Sequence, residues 1–148
     1  MLVREILRSK SSRFITIADT ASLQKASEQF ARQSVGMLFV TAADGRFVGI
    51  LSERDFVCFA SRRGHRALSC AVRDAMVEMT FVASPTSSVT DIMRIMTTQR
   101  FRHLPVLDGT TLVGVISIGD ILHSRLAEKD LEATVLRDLA RTSLAIAA

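Results

Sequence analysis

Tryptophan and tyrosine are absent, and cysteine occurs only at Cys58 and Cys70. Two thiols are too few for a disulfide framework, so both are expected as buried free thiols in a reducing cytoplasm. Without Trp or Tyr, the basic group Arg62, Arg63, His65 and Arg66 lacks interleaved rings for base stacking. It reads better as a solvated loop than as a nucleic-acid patch, and the net charge of +4 is modest. No apolar run approaches the ~18 residues of a membrane span. The first residues place Arg4 and Glu5 inside their only apolar stretch, which makes a poor signal peptide. There is no P-loop and no Gly-x-Ser-x-Gly. His65, His103 and His123 are scattered without the spacing of a metal or catalytic site, so no enzyme is expected. Met76, Met79, Met93 and Met96 read as core filling.

What the chain does have is an internal repeat. Val48-Gly49-Ile50-Leu51-Ser52-Glu53-Arg54-Asp55 returns 65 residues later as Val113-Gly114-Val115-Ile116-Ser117-Ile118-Gly119-Asp120. Upstream, residues 15–40 align without gaps on 81–106: Thr20 meets Thr86, Ser22 meets Ser88, Gln33 meets Gln99, Leu38 meets Leu104 and Val40 meets Val106. One residue is lost in the turn between Val40 and Gly49. A shared order of elements over this length means duplication.

Each copy reads strand, helix, strand, turn, strand, helix. Phe14–Ile17 and Phe81–Ala83 are expected as short first strands. Leu23, Ala26, Phe30 and Ala31 share one helical face, as do Val89, Ile92, Met93 and Met96. Ser22 and Ser88 are natural N-caps. Met37–Val40 and His103–Leu107 follow as strands, Asp44-Gly45 and Asp108-Gly109 as turns, and Phe47–Leu51 and Leu112–Ile116 as return strands. Closing helices begin near Glu53 and Ile118. The fold class is therefore α/β in the mixed, α+β sense: two small sheets packed with helices, related by a pseudo-twofold axis and sharing one core. The boundaries are 1–66 for the first repeat with an N-terminal helix, 67–127 for the second, and 128–148 for a helical tail. In that tail Leu131, Val135, Leu136 and Leu139 lie on one face, available to its own module or to a partner, and its alanine-rich end is expected to fray.

The candidate chemistry lies in Ser52…Asp55 and Ser117…Asp120. Each pair follows a strand and opens a helix. A carboxylate there can accept both hydrogen bonds of a vicinal diol, while free N–H groups of the helix start favour an anion. The same spacing is also a capping box that needs no ligand, and Ser88-Val89-Thr90-Asp91 repeats it at another helix start. Both readings stay open. Arg102 and His103 open the second copy's strand, where two cations can hold a phosphate. The first copy has Val35, Gly36 and Met37 there, so the two sites are electrostatically unequal.

The duplicated Gly-apolar-apolar-Ser-x-x-Asp, the Arg102-His103-Leu104-Pro105-Val106 strand and Val72-Arg73-Asp74-Ala75-Met76 ahead of the second copy together resemble a tandem CBS-domain protein (a Bateman module) of the stand-alone bacterial type, over roughly residues 2–126. The resemblance implies a regulatory module that senses adenosine-containing ligands (AMP most simply, ADP, ATP or NADH as alternatives) and passes energy or redox state to a regulated protein. It implies ribose binding by Asp55 and Asp120, help from Ser52 and Ser117, base or phosphate contacts from Val35, Gly36, Met37, Phe101, Arg102 and His103, and adenine flanked by Ile50 and Val115. Arg54 would add charge at the first mouth. Arg102 and His103 would hold phosphate, across the pseudo-twofold axis for a ligand seated on Asp55. A homodimer in the cytoplasm is implied too. The chain departs from the family's pattern with Asp19 and Phe39 where proline is common, and with Ser52 and Ser117 where threonine is. Two rivals remain: a ligand-independent adaptor acting through its C-terminal helix, and weak nucleic-acid binding through the basic loop.

Overall fold

The computed structural model describes residues 1–10 and 14–146, with side chains described as far as residue 139. The fraying expected of the alanine-rich terminus falls outside these side chains. In chain order the elements are α1 (Val3–Ser9), β1 (Thr16–Ala18), α2 (Leu23–Gln33), β2 (Met37–Thr41), β3 (Phe47–Ser52), α3 (Glu53–Arg63), two short 3-10 turns (Gly64–Ser69 and Val72–Asp74), α4 (Val89–Gln99), β4 (His103–Asp108), β5 (Thr111–Ser117) and α5 (Ile118–Ile146). The two copies follow the same plan down to irregularities. In both hairpins the register slips at the same place, Val40/Thr41 and Val106/Leu107. Both first helices end on a left-handed residue that is not glycine, Ser34 (φ 52°) and Arg100 (φ 58°). Gly45 and Gly109 supply the positive φ of the hairpin turns.

The copies differ in the first strand. In the first copy β1 runs parallel to β2, and Phe39 N–H donates to the Ile15 carbonyl. The position equivalent to Phe39 is Pro105, which has no N–H to offer Phe81. The strand expected over Phe81–Ala83 accordingly shrinks to one parallel bridge between Ala83 and Val106. The second sheet is left with two strands, β4 and β5.

Apolar patterning places the helices as expected, with one correction. Leu23, Ala26 and Phe30 of α2 are buried, as are Val89, Ile92 and Met96 of α4, with Met93 half-buried beside them. Ala31 is exposed and does not share that face. Ser22 caps α2 by accepting from Lys25 N–H; Ser88 occupies the equivalent position on α4 with no side-chain cap bond.

Instead of one shared core there are two half-cores and a smaller apolar junction. The junction holds Phe39, Leu112 and Val115, flanked by Phe14, Met37, Phe47, Ile50 and Leu107. Phe14 and Phe39 meet edge to face at 6.1 Å. Each half-core is completed by the segment that precedes the other copy. Val3 and Ile6 of α1 lie in the second copy's core, although α1 leads the first copy in sequence. Val72 lies in the first copy's core, and Ile50 and Val77 exchange backbone hydrogen bonds of 2.9 and 2.8 Å. The repeated glycines make room for this exchange. A Cβ on Gly49 would stand 2.6 Å from the Val77 carbonyl oxygen; one on Gly114 would stand 2.9 Å from Leu7 Cδ2.

Two further expectations are corrected. Cys58 is exposed and Cys70 half-buried, so neither thiol is buried. Arg62 and Arg63 belong to the last turn of α3, and His65 and Arg66 to the 3-10 turn after it, all exposed. The tail continues α5, which runs unbroken over Ile118–Ile146. Leu131, Val135, Leu136 and Leu139 are 48–67 % exposed along it. Among the described residues no helix is long and apolar enough to cross a membrane.

Candidate functional site

The left-handed turn at Ser34 ends α2 and directs Val35, Gly36 and Met37 toward the junction of the copies. Arg100 ends α4 in the same way, and of the residues that follow it His103 reaches the junction. The hairpin registers then set each strand start opposite its serine: Met37 pairs with Ser52, and His103 with Ser117. Between the halves lies a cleft of about 380 Å³, at the lower end of the range that holds small ligands. Its lining comes from both copies: Val35, Gly36, Met37 and Phe39 from the first, His103, Val115 and Ser117 from the second, and Lys10 from the segment after α1.

The Ser-x-x-Asp pairs do act as capping boxes. Ser52 Oγ accepts from Asp55 N–H at 3.1 Å, while Ser52 N–H and Oγ–H both donate to Asp55 Oδ2. Ser117 Oγ accepts from Asp120 N–H at 3.2 Å, and Ser117 N–H and Oγ–H donate to Asp120 Oδ2 at 2.7 and 2.6 Å. Capping consumes one oxygen only. Oδ1 of both aspartates accepts nothing from the described residues. The two readings of the motif are thus compatible: one oxygen fixes the helix start, and its twin remains for a hydroxyl.

The copies differ in what surrounds the aspartate. Lys10 Nζ donates to Asp120 Oδ2 at 2.6 Å and to the Val115 carbonyl at 3.5 Å. Burial pushes the Asp120 carboxyl up, but the hydrogen bonds from Lys10 and Ser117 and the Lys10 charge outweigh it and hold it below its ordinary value. Partial burial of its ring lowers His103, helped by the positive charges of Lys10 and Arg102 and opposed by Asp120. Where the second copy has Arg102, the first has Gly36 with a carboxylate beside it: a Cβ on Gly36 would meet Glu53 Oε2 at 3.7 Å.

Of the residues singled out from sequence, the cleft gathers Val35, Gly36, Met37, His103, Val115 and Ser117, with Asp120 joined through Lys10 and Ser117. Ser52, Asp55 and Arg54 are not in its lining. Ile50 sits at the junction with its backbone bonded to Val77. Arg102 is exposed at the start of β4. Phe101 packs on the second copy's core, 5.9 Å from the Phe81 ring. Sequence reasoning missed Phe39 and Lys10. Phe39 was visible as an apolar strand residue, whereas Lys10 reaches the second copy only because the N-terminal segments are exchanged.

Comparisons with known proteins agree with this architecture. A family model described as "CBS domain" matches residues 3–61 and 72–127. The crystal structure of the CBS-domain containing protein ATU1752 from Agrobacterium tumefaciens is 34 % identical and superposes with a TM-score of 0.72, covering 84 % of this chain and 92 % of that one. A CBS domain protein from Pyrobaculum aerophilum, PAE2072, complexed with AMP, is 26 % identical with a TM-score of 0.68, covering 81 % of this chain and 89 % of that one. The mitochondrial CBS domain-containing protein CBSX3 of Arabidopsis thaliana is 30 % identical over 107 residues, 70 % of this chain, and the match spans only 52 % of the plant protein.

Proposed function

The chain belongs to the CBS-domain family, as a regulatory module with two copies in tandem, and from that premise we propose that its inter-repeat cleft binds an adenine nucleotide, AMP in the first instance. The observation that carries the reading is the cleft itself. Backbone and apolar side chains from the first copy face Ser117 and His103 of the second and Lys10 of the segment after α1, and behind Lys10 and Ser117 stands Asp120, a carboxylate with an uncommitted oxygen. In this reading Asp120 Oδ1 accepts from the ribose diol, and Ser117 assists. Val35, Gly36, Met37 and Val115 flank the base, with Phe39 as a floor. His103 and Arg102 face the phosphate. The AMP complex of the Pyrobaculum relative supports the ligand class. Ser52 and Asp55, with Ile50 and Arg54, form a weaker second site, because Glu53 stands near Gly36 where the other copy has cations.

Signalling follows from where the ligand lies. A molecule touching both halves binds best at one closure of the Phe39–Leu112–Val115 junction, and that difference in affinity shifts the population toward that closure. The altered surface would be read by a regulated protein, with the module acting as a homodimer in the cytoplasm. The experiment is titration calorimetry with AMP, ATP and NADH on protein stripped of co-purified ligand, alongside Asp120→Ala and Asp55→Ala. Loss of AMP binding in Asp120→Ala supports the reading; unchanged affinity in both variants reduces the motif to helix capping. The adaptor reading has one observation in its favour, the exposed Leu131, Val135, Leu136 and Leu139 of α5. It requires that removal of 131–148 abolish capture of a partner while nucleotide affinity stays unchanged.

A further inference from the structure

Lys10 lies outside both copies of the repeated motif, yet its side chain lines the cleft. It follows α1, which Val3 and Ile6 anchor on the second copy's core, so a packed segment delivers it to the site. Its Nζ contacts Asp120 Oδ2 and the Val115 carbonyl, and the side chain keeps 31 % of its exposure. An ammonium has three donors and only two are engaged here. The segments leading into the copies correspond at an offset of 69, since Val3 N–H donates to the Ser87 carbonyl as Val72 N–H does to the Ala21 carbonyl, and this sets Met79 against Lys10 and Met76 against Leu7. The sulfur of Met76 packs toward Gly49, 3.4 Å from where a Cβ would stand. The first copy thus has a thioether in place of the ammonium, Gly36 and Met37 in place of Arg102 and His103, and Glu53 close by.

We propose that Lys10 is the phosphate-selecting residue of the second copy's site, making that cleft prefer a 5′-phosphorylated adenosine over the free nucleoside. The proposal rests on the nucleotide reading of the cleft. A phosphate carries more charge than the Asp120 carboxylate and competes for the ammonium at short range. The lysine's flexible stem lets it turn from one to the other. Asp120 is not orphaned when Lys10 leaves, because Ser117 still donates to Oδ2 from both N–H and Oγ–H. Without the ammonium on Oδ2 the carboxylate is a stronger acceptor for the ribose at Oδ1, so phosphate capture and diol capture reinforce each other.

The test compares AMP with adenosine by calorimetry on the full chain, as wild type, Lys10→Met (the residue of the other copy) and Lys10→Arg. Wild type is expected to bind AMP about tenfold or more tighter than adenosine, the worth of one charge-assisted hydrogen bond. Lys10→Met removes most of that preference by weakening AMP alone, and Lys10→Arg retains it. If Lys10→Met weakens both ligands equally, or leaves AMP affinity unchanged, the proposal is overturned while the nucleotide reading stands. If wild type binds neither ligand, the nucleotide reading fails and this proposal with it.

Discussion

Replacing the two repeated glycines by alanine separates two reasons for one motif. At Gly49 the added methyl would stand 2.6 Å from the Val77 carbonyl oxygen and 3.3 Å from its carbon, both backbone atoms. Relief requires Val77 to retreat, which breaks the paired bonds Ile50 N–H to Val77 O and Val77 N–H to Ile50 O. Two such bonds at about 0.5–1.5 kcal/mol each, with overpacking of about 1–3 kcal/mol and an offset of about 0.4–1 kcal/mol from the less flexible unfolded chain, leave a loss of roughly 3 kcal/mol at the middle of these ranges. At Gly114 the obstacle is Leu7 Cδ2 at 2.9 Å, the end of a side chain that can rotate away. The expected loss there is about 0–1 kcal/mol, since leucine changes rotamer at modest cost. Urea denaturation at 25 °C measures both, and a two-state melt should show Gly49→Ala roughly 4–10 °C below wild type. Equal losses, or a larger loss at Gly114, would refute the claim that the Val77 segment is locked to the first copy through its backbone.

Four other outcomes follow. Asp120→Ala removes the reciprocal half of the Ser117 capping box as well as the ribose acceptor, so it should lose about 1 kcal/mol of stability together with AMP affinity; retained affinity in a destabilised variant would leave only the capping role. Lowering pH from 7.5 to 5 should destabilise the fold through His103, and only a further fall below the ordinary carboxyl value of 3.8 should do so through Asp120. His103 titrates below its ordinary 6.5, so the unfolded chain protonates first as pH falls through that value. Asp120 contributes fully above the unfolded carboxyl range and loses its contribution as pH falls through its folded value. His103→Gln should flatten the slope near pH 6 in denaturant titrations, and an unchanged slope would remove His103 from this account. Ser34→Gly and Arg100→Gly relieve a left-handed helix end and should each raise the melting temperature by a few degrees; a fall would show that the side chain outweighs the backbone.

Much of this was legible because the chain repeats itself. Strand and helix positions came from periodicity, turns from Asp-Gly, and helix starts from Ser22, Ser52, Ser88 and Ser117. The first strand of the second copy was misread because its apolar run is real, but Pro105 withholds the N–H that would pair it. The repeated glycine was read with the ligand motif because its packing partner is distant in sequence. Neither Val77 nor Leu7 is marked as a neighbour by any local pattern. The exchange of N-terminal segments was hidden for the same reason, and with it the role of Lys10. Composition suggested buried thiols, yet Cys58 lies on α3, none of whose residues is buried.

The central claim is that the cleft between the copies takes an adenine nucleotide, and titration of stripped protein with AMP tests it most directly. The expected result is saturable binding with one dominant site per chain, lost in Asp120→Ala, with stabilisation of about 2.7 kcal/mol when AMP stands at 100 times Kd. No heat and no thermal shift with AMP, ATP or NADH would contradict the account and leave the exposed face of α5 as the part of the molecule to pursue.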